Sequence, residues 1–209
     1  MAKKSLVSRR GFLKKSAAAV AGTAAFPYIV PASALGADGH VAPSNRIVMA
    51  SIGTGGQGRY DTQALMSIPD VQYVAVCDVD AGHRAQAKQM LEQFYSGKKE
   101  SGWKGCDAYN DFREVLARDD IDALMVAPPD HWHGVMTVAA LEAGKDVYCE
   151  KPLANSVPEG RAVLDAVHRY RRVLQTGSHE RSRDNARFAC ELVRNGRIGK
   201  LHTIRVNMP

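Results

Sequence analysis

A glycine-rich run, Gly53-Thr54-Gly55-Gly56-Gln57-Gly58, has the spacing G-x-G-x-x-G, and Asp78 follows 20 residues after its last glycine. The run comes directly after an apolar stretch, Arg46 to Ile52, and opens a stretch of helical character. Asp78 closes the next apolar stretch, Val71 to Asp78. In that context the chemistry is recognition of a dinucleotide. Gly53 permits a tight turn, Gly55 lets the main chain approach a pyrophosphate, and Gly58 lets a helix pack closely on the strand. The helix N-terminus adds amide donors and partial positive charge for the phosphates. Thr54 and Gln57, between the glycines, are assigned to the same cofactor contact. Asp78 would accept hydrogen bonds from a ribose diol and repel a 2′-phosphate, so NAD is expected over NADP. Arg84 is close enough in sequence to keep NADP as the second candidate.

Two further clusters follow apolar runs. In Pro128-Pro129-Asp130-His131-Trp132-His133, Asp130 is expected to cap the following helix. His133 is expected to pack beside the cofactor, at the strand ends where open α/β sheets bind ligands. His131 and His133, two apart at a helix start, cannot easily face one ion, and no carboxylate or cysteine set completes a site, so no metal is expected. In Glu150-Lys151-Pro152 the lysine stands at the mouth of the crevice. Its ammonium could bind a sugar hydroxyl or move a proton, with Glu150 holding it. A plain surface lysine is the competing reading. Pro152 is a candidate for a preceding cis peptide.

Alternating elements must position these groups. Short, nearly continuous apolar runs at 46–52, 71–78, 121–127, 146–149 and 173–176 suit strands buried on both faces of a parallel sheet. Helical spacing fills the intervals 81–94, 135–143 and 157–170, with Gly144 placed as a left-handed cap. This alternation predicts a doubly wound α/β domain.

The chain has 209 residues and a formal net charge of +6, from 28 Lys and Arg against 22 Asp and Glu. Six bases, Lys3, Lys4, Arg9, Arg10, Lys14 and Lys15, account for that excess, and no acid precedes Asp38. The remainder is balanced, which disfavours a nucleic-acid partner. Ser8-Arg9-Arg10-Gly11-Phe12-Leu13-Lys14, a mild Ala-rich stretch and Ala32-Ser33-Ala34 together read as a twin-arginine export signal over residues 1–37, with cleavage after Ala34 or Ala37. The protein is therefore expected to meet the twin-arginine export machinery and to reach the periplasm or the exterior. That route carries folded proteins, so a nucleotide would be loaded before export. Cys77, Cys106, Cys149 and Cys190 lack zinc spacing, and Cys77 and Cys149 are expected as buried thiols.

Taken together, the clusters resemble the Gfo/Idh/MocA family of oxidoreductases. The resemblance rests on the Gly53–Gly58 loop, Cys77-Asp78, Pro129-Asp130-x-x-His133 and Glu150-Lys151-Pro152, and it extends through Gln175-Thr176-Gly177-Ser178 and Arg194 to Lys200. It implies a Rossmann-type doubly wound parallel sheet over residues 45–176 and NAD(P)-dependent chemistry on sugars and polyols. It implies a catalytic role for Lys151 and places Pro129, His133 and Glu150 around the cofactor. It also implies a second, α+β substrate domain, of which residues 177–209 would be the beginning, with Leu201 to Asn207 as its first strand. On that expectation the chain is truncated. Oligomerisation would then require the rest of that domain. Three functions compete. One is an exported oxidoreductase moving hydride between a sugar-like alcohol and bound nicotinamide. The second is a redox-neutral glycosidase using the same cofactor, and the third is an inactive nucleotide-binding module.

Overall fold

A computed structural model describes Gly36, residues 41–97 and residues 103–207. The chain divides into two units, Met1–Ala42 and Pro43–Pro209. The export signal expected at residues 1–37 lies, Gly36 apart, outside the described residues. Within them, no helix is long and apolar enough to cross a membrane.

The second unit is built on six parallel strands: β1 (Ile47–Ile52), β2 (Val71–Cys77), β3 (Asp107–Tyr109), β4 (Ala123–Val126), β5 (Asp146–Glu150) and β6 (Leu174–Gly177). Their order across the sheet is β3-β2-β1-β4-β5-β6, the doubly wound order that reverses between β1 and β4. The helices are α1 (Gly56–Leu65), α2 (Ala81–Ser96), α3 (Phe112–Leu116), α4 (His133–Glu142), α5 (Val157–Tyr170) and α6 (Asp184–Arg194).

Helices cover both faces of the sheet, which is why the strands read as unbroken apolar runs. One buried layer joins Ala50, Ile52, Leu124, Val126, Val147 and Cys149 to Val115 of α3 and Ala140 and Leu141 of α4. The other joins Met49, Tyr73, Val76 and Met125 to Leu91 and Tyr95 of α2. The change from odd to even numbering on β2 has a local cause. Met49 pairs with Tyr73 but Ala50 pairs with Ala75, so Val74 is an extra residue that reverses which face its successors present.

Local chemistry fixes several ends. Asp80 caps α2 by accepting from the His83 amide, Asp111 caps α3 through the Arg113 amide, and Ser156 caps α5 through the Glu159 amide. Gly144, at φ +77°, takes the expected left-handed position after α4. The Lys151–Pro152 peptide is cis.

Two expectations change, and one helix is new. Asp130 lies in a 3-10 turn, Asp130–Trp132, without a side-chain cap, and α4 begins at His133 with no capping bond from Trp132. Leu201 to Asn207 forms no strand: these residues are exposed and, among the described residues, lie beside no partner whose ladder could hold them extended. Helix α6 has no buried residue, and its Phe188 and Val193 are exposed.

Candidate functional site

The glycine loop and the loop after β4 meet at the point where the strand order reverses. Gly53 has φ +81°, and a Cβ there would collide with the main chain of Ala127 and Pro128. Gly58, in the first turn of α1, lies against the Gly53 carbonyl so closely that a Cβ would strike it. These two glycines therefore serve turn geometry and helix-to-strand packing, as expected. Thr62 holds the arrangement from behind. Its hydroxyl donates to the Gly58 carbonyl at 2.7 Å and shares a hydrogen bond with Ser51 of β1, also at 2.7 Å. Gly55 and Gly56 differ: a Cβ on Gly56 would meet nothing within 4 Å, and one on Gly55 would meet only His83 at ordinary distance. Their main chain opens onto a cavity.

That cavity has a volume of about 700 Å³. It is lined by the glycine loop from Gly53 to Gly58, by Asp78 and Arg113, and by Pro128 and Pro129, with the neighbouring rings of Phe112 and Trp132 also in the wall. The first-turn amides of α1 have no intrahelical acceptors and supply donors for an anion. Asp78, at the C-terminal end of β2, is fixed in place. Its Oδ2 accepts from the Thr54 amide at 2.7 Å and from the Thr54 hydroxyl at 3.2 Å, and its Oδ1 accepts from the Asp80 amide at 2.9 Å. A carboxylate has about four acceptor positions, so a diol can still be recognised. Thr54 is buried and acts through Asp78 rather than lining the cavity. The Arg84 guanidinium donates to the Asp78 carbonyl and, at 3.3 Å, to Asn110 Oδ1.

A second cavity, of about 670 Å³, shares Gln57 and is lined by Tyr60, Lys151, Ser178, His179, Glu180, Arg181 and Arg183. Lys151 is exposed there, and its ammonium has no hydrogen-bond or ion-pair partner among the described residues. Glu150 does not hold it, contrary to expectation. The Glu150 carboxylate is 96% buried, accepts from the Lys151 amide at 3.2 Å, and engages His179 Nε2. Register explains the contact: Glu150 pairs with Gly177, whose missing side chain leaves room for the carboxylate, and His179 follows just beyond. Asp61, on the buried side of α1, completes the group. Its Oδ1 accepts from Gln57 Nε2 at 2.9 Å and lies 4.0 Å from His179 Nε2, while its Oδ2 is buried without a partner. Burial pushes the Asp61 carboxyl up to about 6, and the neighbouring Glu150 carboxylate adds to the rise.

The sequence-chosen residues thus fall into three places. Gly53, Gly55, Gln57, Gly58, Asp78 and Pro129 surround the first cavity, and Lys151 stands in the second. His133 lines neither. It is 1% exposed, and its ring nitrogens lie 2.5 Å from the Pro152 carbonyl oxygen and 2.8 Å from that of Pro128. It ties the loop after β4 to the loop after β5. Asp61 and His179 were not singled out from sequence. The one local signal is Gln57 four residues before Asp61, the spacing of neighbours on a helix face.

A family model described as an oxidoreductase family with an NAD-binding Rossmann fold matches residues 47–178. An alpha-N-acetylgalactosaminidase of Shewanella oneidensis is 27% identical over 208 residues, covering 93% of this chain and 44% of that protein. An inositol 2-dehydrogenase of Rubrobacter xylanophilus is 30% identical over 158 residues, covering 75% of this chain and 42% of that protein. The solved structure of myo-inositol 2-dehydrogenase from Lactobacillus plantarum matches with a TM-score of 0.61 at 29% identity, covering 74% of this chain and 43% of that one. The chain spans less than half the length of these relatives. With the strand order, the glycine loop and the matched span in agreement, the chain belongs to the Gfo/Idh/MocA oxidoreductase family with its NAD-binding Rossmann fold.

Proposed function

We propose that the protein is an NAD-dependent oxidoreductase acting on a sugar or polyol by hydride transfer to a tightly held nicotinamide cofactor. One observation carries the reading: a fixed carboxylate, Asp78, and the open main chain of Gly55 and Gly56 share one cavity at the switch point of the sheet. The site fits a dinucleotide because a Cβ-free main chain and unpaired helix amides suit a pyrophosphate, while Asp78 suits a ribose diol. NAD is preferred over NADP because Arg84 is turned to the Asp78 carbonyl and Asn110 instead of standing free for a 2′-phosphate.

When bound, the cofactor supplies hydride chemistry. The chain's own residues supply binding and proton handling. Gln57 borders both cavities and marks where the two meet. Lys151 is aimed into the second cavity as the donor to a substrate hydroxyl and as the group that moves its proton. Pro129 and Trp132 supply an apolar wall that excludes water. Glu150 and His133 act at one remove, Glu150 by anchoring the Lys151 amide and His133 by joining the two loops.

The likeness to an alpha-N-acetylgalactosaminidase supports a second reading, a redox-neutral glycosidase in which the same cofactor is restored within each cycle. We also propose export by the twin-arginine route with the nucleotide already loaded, from the Arg9-Arg10-Gly11-Phe12-Leu13-Lys14 sequence. The test is to purify the chain and follow the reduced-nicotinamide absorbance with free polyols and with aryl glycosides. A band formed or bleached by a polyol supports the dehydrogenase. Aryl-glycoside cleavage without net change in the band supports the glycosidase. Cofactor binding without either reaction leaves a nucleotide-binding module, and absence of any nicotinamide binding overturns all three.

A further inference from the structure

Beneath Lys151, three side chains from three elements converge: Asp61 of α1, Glu150 at the end of β5 and His179 in the turn after β6. We propose that they bind a divalent transition-metal ion of the zinc or manganese type, with an open coordination position facing the Lys151 cavity. Each offers one ligand atom, and these atoms all lie within 4.8 Å of one another. Ligands about 2.0–2.2 Å from one zinc ion stand roughly 3.3–3.6 Å apart in a tetrahedron. Shifts of about an ångström would therefore place all three around one ion. One imidazole and two carboxylates form a set suited to zinc or manganese rather than copper(I) or iron–sulfur.

Charge and unsatisfied valence point the same way. Asp61 and Glu150 are 95% and 96% buried, and two carboxylates side by side in a buried site need a cation or a shared proton. His179 answers Glu150, but Asp61 Oδ2 is buried with no partner. That orphan oxygen is an independent sign of a missing ligand, because buried acceptors are rarely left unpaired. Lys151 cannot fill the gap, since its side chain is exposed and bonded to neither carboxylate. Gln57 Nε2 donates to Asp61 Oδ1, the kind of outer contact that orients a ligating carboxylate. Three protein ligands leave a fourth position for water or a substrate hydroxyl, the pattern of an open zinc site. The proposal stands apart from the dehydrogenase reading, because it needs neither nucleotide nor turnover.

The test uses the untagged full chain, stripped with EDTA and dialysed. Zinc and manganese are titrated separately by calorimetry, and cobalt(II) is added as an optical probe. The expected result is one ion per chain at micromolar or tighter affinity, with a cobalt spectrum of mixed nitrogen and oxygen ligation. Asp61→Asn, Glu150→Gln and His179→Ala should each weaken uptake at least tenfold, while His131→Ala, at an exposed histidine outside the trio, leaves it unchanged. His179 is partly exposed, so its variant should fold, which thermal melting would check. Uptake that never saturates at one ion overturns the proposal, as does tight binding indifferent to His179→Ala; in that case the trio holds only protons.

Discussion

The two cavities meet at Gln57 but are made of different material. The glycine-loop cavity combines glycine main chain and apolar walls with a carboxylate pinned by amides and one hydroxyl, and its charged side chains include Asp80, His83, Asp111 and Arg113. The Lys151 cavity is built from charged side chains over a buried acidic pair. A main-chain site is damaged by atoms added where the backbone must pass. A side-chain site is damaged by charge removed. On the proposed function, the difference separates cofactor recognition, which is shape, from proton and ligand handling, which is charge.

The largest expected effect falls on the charged side. Lys151→Met should lower turnover on a polyol by about 1,000-fold while changing NAD affinity less than about threefold, because proton transfer typically contributes 10²–10⁴. Steady-state kinetics beside a binding titration check it, and unchanged turnover would return Lys151 to an ordinary surface lysine. On the main-chain side, Gly58→Ala should weaken NAD about 100-fold, since its methyl meets the Gly53 carbonyl and overpacking costs up to about 3 kcal/mol. Gly56→Ala, which meets open space, should stay within about threefold. Equal losses at the two glycines would break the comparison. Asp78→Ala should weaken NAD about tenfold through lost hydrogen bonds and NADP by less; equal loss would remove the ribose assignment.

The smallest effect concerns the sheet that both cavities share. Burial pushes the thiols of Cys77 and Cys106 up to about 12 and that of Cys149 to about 11, whereas Cys190 on α6 is exposed. A disulfide reagent at pH 8 should therefore label one thiol quickly and the other three only on unfolding. More than one fast thiol would mean a looser sheet than the packing indicates.

The same contrast decides what could be read from sequence. The glycine loop is contiguous, and each glycine has a single physical reason, so Gly53, Gly58 and Asp78 are legible in the sequence. Strands β1, β2, β4, β5 and β6 were legible as apolar runs, but β3, three residues long, and α3, five, are too short to show a period. The extra residue at Val74 left no mark, because both faces of β2 are apolar. His133 was expected at the cofactor because its position is right; only packing shows that its ring is enclosed between Pro128 and Pro152. Asp61 and His179 carry no joint signal in the sequence, because their meeting depends on the pairing of Glu150 with Gly177, which is tertiary. Exposed apolar residues such as Ile204 and Val206 made a strand on paper, but a strand requires a neighbour.

The most direct test of the central claim, that the cavity over Gly55 and Gly56 holds a dinucleotide, is a fluorescence titration of reduced NAD with the purified chain. Saturation at one nucleotide per chain in the micromolar range, reversed by oxidised NAD and lost in Gly58→Ala but kept in Gly56→Ala, is the predicted result. A flat titration with the folded wild-type chain would contradict the account.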